Sequence, residues 1–218
     1  MNYRILGPLE VDVDGVPVGI VGGKQAALLA LLLLHANETV RSERLVEELW
    51  DGSPPPSAAK ILQNYVSRLR RELGDGLLVT RGRGYELRVE PGELDVHRFT
   101  ELLETGRQAM ASNEPDVAAT NLRAALSLWR GPALAEFADE PFAQPEIDRL
   151  EELRLAALSE RVEADLALGR HADVIGELES LTARHPFQER LIAQRMLALY
   201  RSGRQAEALE VYRGARHA

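Results

Sequence analysis

The first 21 residues alternate between apolar and polar positions in short runs that glycine and proline interrupt. In residues 9–13, three apolar side chains alternate with two acidic ones, a pattern typical of a half-buried β-strand. Asp14-Gly15 separates this run from residues 16–18, and such a dipeptide between two apolar runs is a strong signal for a tight hairpin. The pattern therefore predicts a small antiparallel sheet over residues 1–21.

Two helices are predicted between this sheet and a proline-rich connector. Residues 24–36 are rich in alanine and leucine on all sides and contain no helix breaker, which is typical of a buried helix. Ser42 is the predicted N-cap of a second helix over residues 43–50, because a serine side chain satisfies a free amide of the first turn. The prolines at 54–56 stop helical structure and stiffen the connector.

A third helix is predicted from an N-cap at Ser57 to about Leu73, with Gly74 as its C-terminal stop. At about 100° per residue, this helix has an apolar stripe and an opposite polar face that lacks carboxylates. The stripe consists of Leu62, Val66, Leu69 and Leu73, and the polar face of Lys60, Asn64, Ser67 and Arg71, flanked by Gln63, Arg68 and Arg70. One side of the helix therefore belongs in the core and the other is free.

A second hairpin follows the third helix. Residues 77–80 and 85–89 resemble strands, and the tip between them at 81–84 holds two arginines and two glycines. Pro91-Gly92 ends the unit, which places a domain boundary near residue 95. Three strands, three helices and a hairpin, in this order, predict a winged helix-turn-helix domain over residues 1–95.

Only helical segments are predicted after residue 96. They cover residues 96–110, 116–128, 146–168, 172–184, 188–200 and 205–215, with a looser repeat placed at 113–126. Gly169 and Gly203 lie 34 residues apart in matching turns, which is the tetratricopeptide period. Aligned at this offset are Val174 with Ala208, and Leu178 with Tyr212. The predicted fold is thus an α+β N-terminal winged helix-turn-helix followed by an all-α tetratricopeptide-like helical domain over residues 96–218.

The chain is acidic overall, with a formal charge of −8, but one segment is basic. Residues 57–88 contain seven basic and three acidic side chains, a net charge of +4, so a surface for a polyanion must be local. The absence of cysteine excludes disulfides, thiolate zinc sites and cysteine nucleophiles. No apolar run approaches the ~20 residues of a membrane-spanning helix, and no secretory signal begins the chain, so we expect a cytoplasmic protein without a membrane partner.

The third helix and the second hairpin together favour binding to duplex DNA. A helix in the major groove needs outward donors and acceptors, an apolar anchor and surrounding positive charge. A glycine-bearing hairpin with arginines suits the narrow minor groove, where the negative potential is strongest. The candidate DNA-binding residues are Lys60, Gln63, Asn64, Ser67, Arg68 and Arg71 on the helix, and Arg81 and Arg83 at the tip. A solvated amphipathic helix followed by an ordinary turn is the alternative.

The sequence contains no strong motif for other chemistry. Gly22-Gly23-Lys24-Gln25 lacks the first glycine and the Ser/Thr of a phosphate-binding loop, and is interpreted as a helix entry. The five histidines lack metal-ligand spacing, and no acid–base constellation is found. We therefore expect no catalytic residues, no cofactor and no metal site.

Four stretches of the sequence closely resemble the Streptomyces antibiotic regulatory proteins, a family of transcriptional activators. They are KQAALLALLLLHAN at 24–37, SERLVEELW at 42–50, PPSAA at 55–59 and LQNYVSRLRRELG at 62–74. The resemblance extends over essentially the whole chain and implies an OmpR-type winged helix followed by a bacterial transcriptional activation domain. Because such domains usually continue beyond a segment like residues 210–213, we expect a short member, a fragment, or the front part of a larger regulator.

The resemblance also implies a function. In that family the third helix reads direct repeats near the promoter −35 region, two protomers lie side by side on double-stranded DNA, and RNA polymerase is recruited through sigma factor and other subunits. The regulated genes would belong to an antibiotic or secondary-metabolite cluster. The loop expected to face polymerase consists of Asp51, Gly52, Ser53, Pro54, Pro55 and Pro56. The alternative is a partner-binding or ligand-sensing helical-repeat scaffold within a larger regulator.

Overall fold

The computed structural model describes residues 1–19 and 22–217. The predicted N-terminal β-region extends over Ile20 and Val21, and the predicted helical domain extends to Ala218; these three residues lie outside the described ones. Contacts divide the chain into two units. The first unit contains residues 1–99 and 128–152, and the second contains residues 100–127 and 153–218.

The N-terminal sheet of the first unit is antiparallel. Its strands are β1 (Asn2–Arg4), β2 (Glu10–Val13) and β3 (Val16–Pro17), in the order β1-β2-β3. Asp14 and Gly15, between β2 and β3, both have positive φ, 52° and 82°. Positive φ at both central residues defines a type I′ turn, so the predicted Asp-Gly hairpin is confirmed.

The helix-turn-helix follows with its hairpin. Its elements are α1 (Lys24–Leu34), β4 (Val40–Arg41), α2 (Ser42–Leu49), α3 (Ala58–Leu73), β5 (Leu78–Arg81) and β6 (Gly84–Leu87). The strands form a second antiparallel sheet in the order β4-β6-β5. Helix α1 is buried from Gln25 to Leu33, which confirms the prediction of a helix covered on most sides. Gly74 ends α3 with a positive φ of 95°, as predicted.

The prediction that Ser42 caps α2 is wrong. Arg41 occupies the N-cap position with extended backbone, and Ser42 is already the first helical residue. The reason is the short strand β4, which pairs Arg41 with Gly84 and so keeps the chain extended up to the first turn. The amide of Ser42 then donates to the carbonyl of Arg83 at 2.9 Å.

Residues 128–152 pack with the N-terminal segment inside the first unit. The amide of Arg130 donates to the Leu6 carbonyl at 2.8 Å, and the amide of Leu134 donates to the Ile5 carbonyl at 3.0 Å. A 3-10 helix, Ala135–Phe137, follows these residues. The sequence domains at 1–95 and 96–218 remain a proposal, and these contacts explain why the compact units group the residues differently.

The α-helices that follow the second hairpin are α4 (Asp95–Ala111), α5 (Pro115–Ser127), α6 (Gln144–Ala167), α7 (His171–Arg184), α8 (Glu189–Arg201) and α9 (Gln205–His217). A buried cluster joins the last four, with Val162, Leu178, Leu191 and Ala208 among its members. None of the helices in the described part of the chain has the length and hydrophobicity required to cross a membrane.

The turns between the helices repeat. Gly169 and Gly203 have φ of 78° and 77°, and each donates its amide to the carbonyl three residues earlier at 3.1 Å. Asn113, in the predicted looser repeat, has φ 59° and donates in the same way to Met110 at 3.0 Å. The aligned side chains agree less well, because Tyr212 is 50% exposed whereas its counterpart Leu178 is fully buried.

Candidate nucleic-acid interface

Helix α3 separates an apolar anchor from a polar face. Its buried residues are Ala58, Leu62, Val66, Leu69 and Leu73, each no more than 4% exposed. All six candidate residues on the helix are exposed: Lys60, Gln63, Asn64, Ser67, Arg68 and Arg71. The predicted partition of the helix is therefore confirmed, and the stripe fixes α3 in the core while the polar side chains face outward.

The cations on this face have no acidic partners within the described structure. None of the ion pairs found among residues 1–19 and 22–217 involves Lys60, Arg68 or Arg71. The nearby carboxylate of Glu72 instead accepts from the side-chain amide of Gln25, a buried residue, at 2.6 Å. The positive charge of α3 is thus available to an anionic partner.

One polar residue on the face is internally bonded. The hydroxyl of Ser67 donates to the carbonyl of Gln63, one turn earlier, at 2.9 Å. The hydroxyl oxygen still has lone pairs free to accept a hydrogen bond. In the structure Ser67 is therefore available mainly as an acceptor.

The hairpin tip is narrower than the predicted tetrapeptide. Arg81 and Gly84 are paired residues of β5 and β6, which leaves Gly82-Arg83 as a two-residue turn. Gly82 has a positive φ of 55°, the conformation that the first position of a type II′ turn requires. Arg81 and Arg83 are both exposed, as the sequence predicts for a tip.

The two arginines of the tip differ in their surroundings. Nε of Arg81 lies 3.5 Å from the carboxylate of Glu86, which also lies 3.4 Å from Nε of Arg88. No ion pair involves Arg83 within the described residues. Arg83 therefore carries the more fully available charge.

The hairpin lies against the strand that precedes α2. A Cβ built on Gly84 would lie 2.3 Å from the main-chain oxygen of Val40, much closer than any real contact. Only glycine permits this approach. It brings Arg41, which is exposed and paired with Gly84, beside the hairpin tip.

Arg41 was not among the candidates that the sequence suggested. Its signal in the sequence was weak, because it is a single basic residue between two predicted helices. Only the pairing of β4 with β6 shows that it lies next to the tip. We add Arg41 to the candidate interface.

Arg70 is placed differently from the predicted flank of the polar face. It is half-buried, and its guanidinium donates from Nε to the Leu78 carbonyl and from Nη2 to Oγ1 of Thr80, both at 2.8 Å. These acceptors belong to β5. Arg70 therefore faces the hairpin.

The connector between α2 and α3 is exposed but anchored at its start. Five of its residues, Asp51, Gly52, Ser53, Pro54 and Pro56, are exposed, and Pro55 is half-buried. Asp51 and Gly52 have positive φ of 49° and 71°. The amide of Gly52 donates to the Glu47 carbonyl at 3.0 Å, which fixes the chain as it leaves α2.

The described part of the chain was also compared with the requirements of a metal site. No group of three or more histidine or acidic side chains there could hold a metal ion.

Comparison with known proteins identifies relatives over the same residues. The family described as "Transcriptional regulatory protein, C terminal" matches residues 20–87, and the family "Bacterial transcriptional activator domain" matches residues 94–218. Regulatory protein DnrI from Streptomyces peucetius is 41% identical over 223 residues, which cover 97% of this chain and 82% of that protein. Regulatory protein AfsR from Streptomyces coelicolor is 42% identical, over 99% of this chain but 22% of that protein.

A solved structure has the same fold. The structure described as Mycobacterium tuberculosis EmbR in complex with a low affinity phosphopeptide superposes with a TM-score of 0.95 at 37% identity. The match covers 98% of this chain and 58% of that chain. The sequence thus spans most of DnrI and only part of AfsR and EmbR. Since these relatives are transcriptional regulators rather than enzymes, and the activator-domain family covers more than half of the chain, the protein belongs to the Streptomyces antibiotic regulatory protein family of transcriptional activators.

Proposed function

We propose that this chain activates transcription by placing α3 in the major groove of promoter DNA. The observation that carries the proposal is the exposed, cationic face of α3 opposite its buried stripe. Arg68 and Arg71 have the donors that pair with guanine or with phosphate, and the amides of Gln63 and Asn64 match the major-groove edge of adenine. Lys60, near the start of the helix, supplies a further charge for the phosphate backbone.

The hairpin tip is proposed to enter the adjacent minor groove. A two-residue turn is slender, and Arg83 at its apex has no acidic partner in the described structure. The narrow minor groove attracts arginine because its negative potential is concentrated there. Arg81, partly neutralised by Glu86, is assigned a weaker contact.

The connector is proposed to contact RNA polymerase, through sigma factor and other subunits. Its exposure between the two helices of the motif supports this assignment, as does membership of an activator family. Three consecutive prolines limit its backbone freedom, so less conformational entropy is lost when a partner binds. The segment consists of Asp51, Gly52, Ser53, Pro54, Pro55 and Pro56.

The arrangement on DNA is proposed from the family resemblance. Two protomers would lie side by side on direct repeats near the −35 region. The regulated genes would form an antibiotic or secondary-metabolite cluster. The similarity to DnrI and AfsR, both regulatory proteins of Streptomyces, supports this proposal.

Titration of a labelled duplex with the full chain tests DNA binding. The duplex is the one that the wild-type chain enriches most from a randomised library, and a scrambled duplex serves as reference. If Arg68 or Arg71 contacts a base, its replacement by alanine costs about 1–3 kcal/mol on the enriched duplex alone. If the contact is to phosphate, binding to both duplexes weakens and the salt slope falls by about one.

The matched control is Arg213→Ala, which removes an exposed arginine from α9 and should leave binding unchanged. Unchanged binding by Arg68→Ala and Arg71→Ala would reject the assignment of α3. Failure of the folded wild-type chain to bind any duplex would instead favour a helical scaffold that binds another partner.

A further inference from the structure

We propose that Arg70 is a positioning residue, which holds the hairpin so that its tip and α3 engage one duplex together. The inference rests on the proposed function. Arg70 lies in the last turn of α3, and its guanidinium reaches two acceptors of β5. It is thereby distinguished from Arg68 and Arg71, which are exposed on the same helix and have no ion pair within the described residues.

The carbonyl of Leu78 needs a partner from outside the sheet. Strand β5 is an edge strand, since the order of the sheet is β4-β6-β5. The carbonyl of Leu77 accepts the amide of Arg88 across the hairpin at 2.8 Å. Because main-chain groups alternate in direction along an antiparallel strand, the Leu78 carbonyl points to the open edge. Nε of Arg70 satisfies this carbonyl at 2.8 Å.

The second bond makes the attachment directional. Nη2 of Arg70 donates to Oγ1 of Thr80, two residues further along β5, also at 2.8 Å. A guanidinium is planar, and its N–H groups diverge in a fixed fork, so two bonds to one strand restrain both distance and angle. A lysine ammonium in the same place carries the charge without this geometry.

The hairpin is thus connected to both helices of the helix-turn-helix. On one side, β6 pairs with the two residues of β4 that directly precede α2. On the other side, Arg70 connects β5 to α3. Without Arg70, the hairpin is still held by β4, by the bond from the Asn37 amide to the Leu87 carbonyl and by the buried side chains of Leu78 and Leu87. The outer edge of β5, at Leu78 and Thr80, then loses its hydrogen bonds to α3. The tip, which continues from this edge, is therefore held less closely relative to α3.

Coupling between Arg70 and the tip provides the test. The full-length variants are Arg70→Gln, Arg70→Lys and Thr80→Val, each with and without Arg83→Ala, titrated against the duplex most enriched by the wild-type chain. In the wild-type background we expect Arg83→Ala to weaken binding about tenfold. In the Arg70→Gln background the same change should weaken binding less than about twofold, because β5 has lost the bonds that hold the tip in register with α3. Arg70→Lys should behave like Arg70→Gln.

Arg71→Gln is the control, since it removes an arginine with no partner in the described structure from the adjacent position. Its effect should add to that of Arg83→Ala. A second measurement needs no DNA: amide NMR signals of Gly82 and Arg83 should shift or broaden in Arg70→Gln and Thr80→Val, and stay unchanged in Arg71→Gln. Thr80→Val keeps the branched shape of the side chain and removes one acceptor of Arg70. It therefore tests the same contact independently if the Arg70 variants fail to fold.

The outcomes separate this role from the proposed function. If Arg70→Lys restores binding and the effects of Arg70 and Arg83 add, Arg70 is a phosphate contact and the positioning role is rejected. If the NMR signals of the tip are the same in all variants, the role is rejected on structural grounds. If the wild-type chain binds no duplex, the proposed function itself fails.

Discussion

Lys24 donates a hydrogen bond from Nζ to the main-chain carbonyl of Leu49 over 2.5 Å. Lys24 is the first residue of α1 and Leu49 is the last residue of α2, so the bond satisfies one of the free carbonyls at the end of α2. The ammonium also lies 5.9 Å from the ring centroid of Trp50, within the range of a cation–π interaction. The connector to α3 therefore starts from a fixed point.

Replacing Lys24 by methionine tests this anchor. The side chain keeps most of its apolar stem and loses the charged donor, so we expect the free energy of unfolding to fall by about 1–2 kcal/mol. Urea unfolding of the full chain measures the change. The control is Lys60→Met on the exposed face of α3, which should change stability by less than about 0.5 kcal/mol. Equal losses in both variants would contradict the role of Lys24.

Gly84→Ala should disrupt the attachment of the hairpin to β4. The new Cβ would lie 2.3 Å from the Val40 oxygen, which is main chain and cannot rotate away. We expect a loss of about 1–3 kcal/mol in stability, as for other overpacked sites, together with faster amide exchange of Ser42.

The matched control is Gly176→Ala. Gly176 lies inside α7, and a Cβ there meets nothing within 4 Å. Alanine has the higher helix propensity, so this variant should gain about 0.5–1 kcal/mol. The prediction for Gly84 is wrong if its variant unfolds at the same urea concentration as the wild type.

Asp165 is the centre of an ion-pair network in the second unit. It is 2% exposed and accepts hydrogen bonds from Arg123, from Arg161 at 3.0 Å and from Arg170 at 2.9 Å. Burial raises the pKa of this carboxyl, but the hydrogen bonds from Arg170, Arg123 and Arg161 outweigh burial and hold the pKa below its usual value. The carboxylate is therefore more favourable in the folded than in the unfolded chain.

Asp165→Asn should consequently lower stability at neutral pH by about 2–4 kcal/mol, because Arg123, Arg161 and Arg170 lose their shared carboxylate and the buried Arg161 keeps only Glu177 as an acidic partner. A lowered carboxyl pKa stabilises the folded state above the unfolded pKa, and this stability is lost as the pH falls through the folded pKa. The gap between the variant and the wild type should therefore narrow on acidification. Exposed Glu152→Gln is the control, and a gap that stays constant with pH would contradict this explanation.

Arg41→Ala should weaken binding to all duplexes to a similar degree. Arg41 lies beside the tip at the start of α2, a position suited to phosphate, so its loss should lower the salt slope by about one. Titrations at several salt concentrations with the enriched and the scrambled duplex measure both quantities. A loss confined to the enriched duplex would assign Arg41 to a base, and no loss would remove it from the interface.

The sequence predicted the features that depend on neighbouring residues in the chain, namely the two faces of a helix and the turns that need a positive φ. The stripe of α3 follows from helical periodicity, and each of its leucines is buried. The turns at Gly169 and Gly203 follow from the need for positive φ, and the same geometry recurs at Asn113. The exposed face of α3 followed from the same periodicity.

Long-range pairing explains what the sequence could not show. Ser42 was a sound N-cap candidate by residue type, but β4 pairs with a strand more than 40 residues away and moves the helix start by one residue. In the sequence, Arg70 cannot be distinguished from the other arginines of α3. Its hydrogen bonds to β5 separate it from them. The packing of residues 128–152 on the N-terminal segment likewise depends on hydrogen bonds between distant residues, such as Arg130 and Leu6.

Selection from randomised duplexes by the full-length wild-type chain, compared with Arg71→Ala and Arg83→Ala, is the most direct test of the central claim. The claim is that the cationic face of α3 and the hairpin tip bind DNA as one surface. We predict that the wild type enriches a directly repeated motif, that Arg71→Ala loses or relaxes positions within each repeat, and that Arg83→Ala loses preference at the flanking minor-groove positions. No enriched motif with the folded wild type, or the same motif at the same enrichment in all three proteins, would contradict the claim.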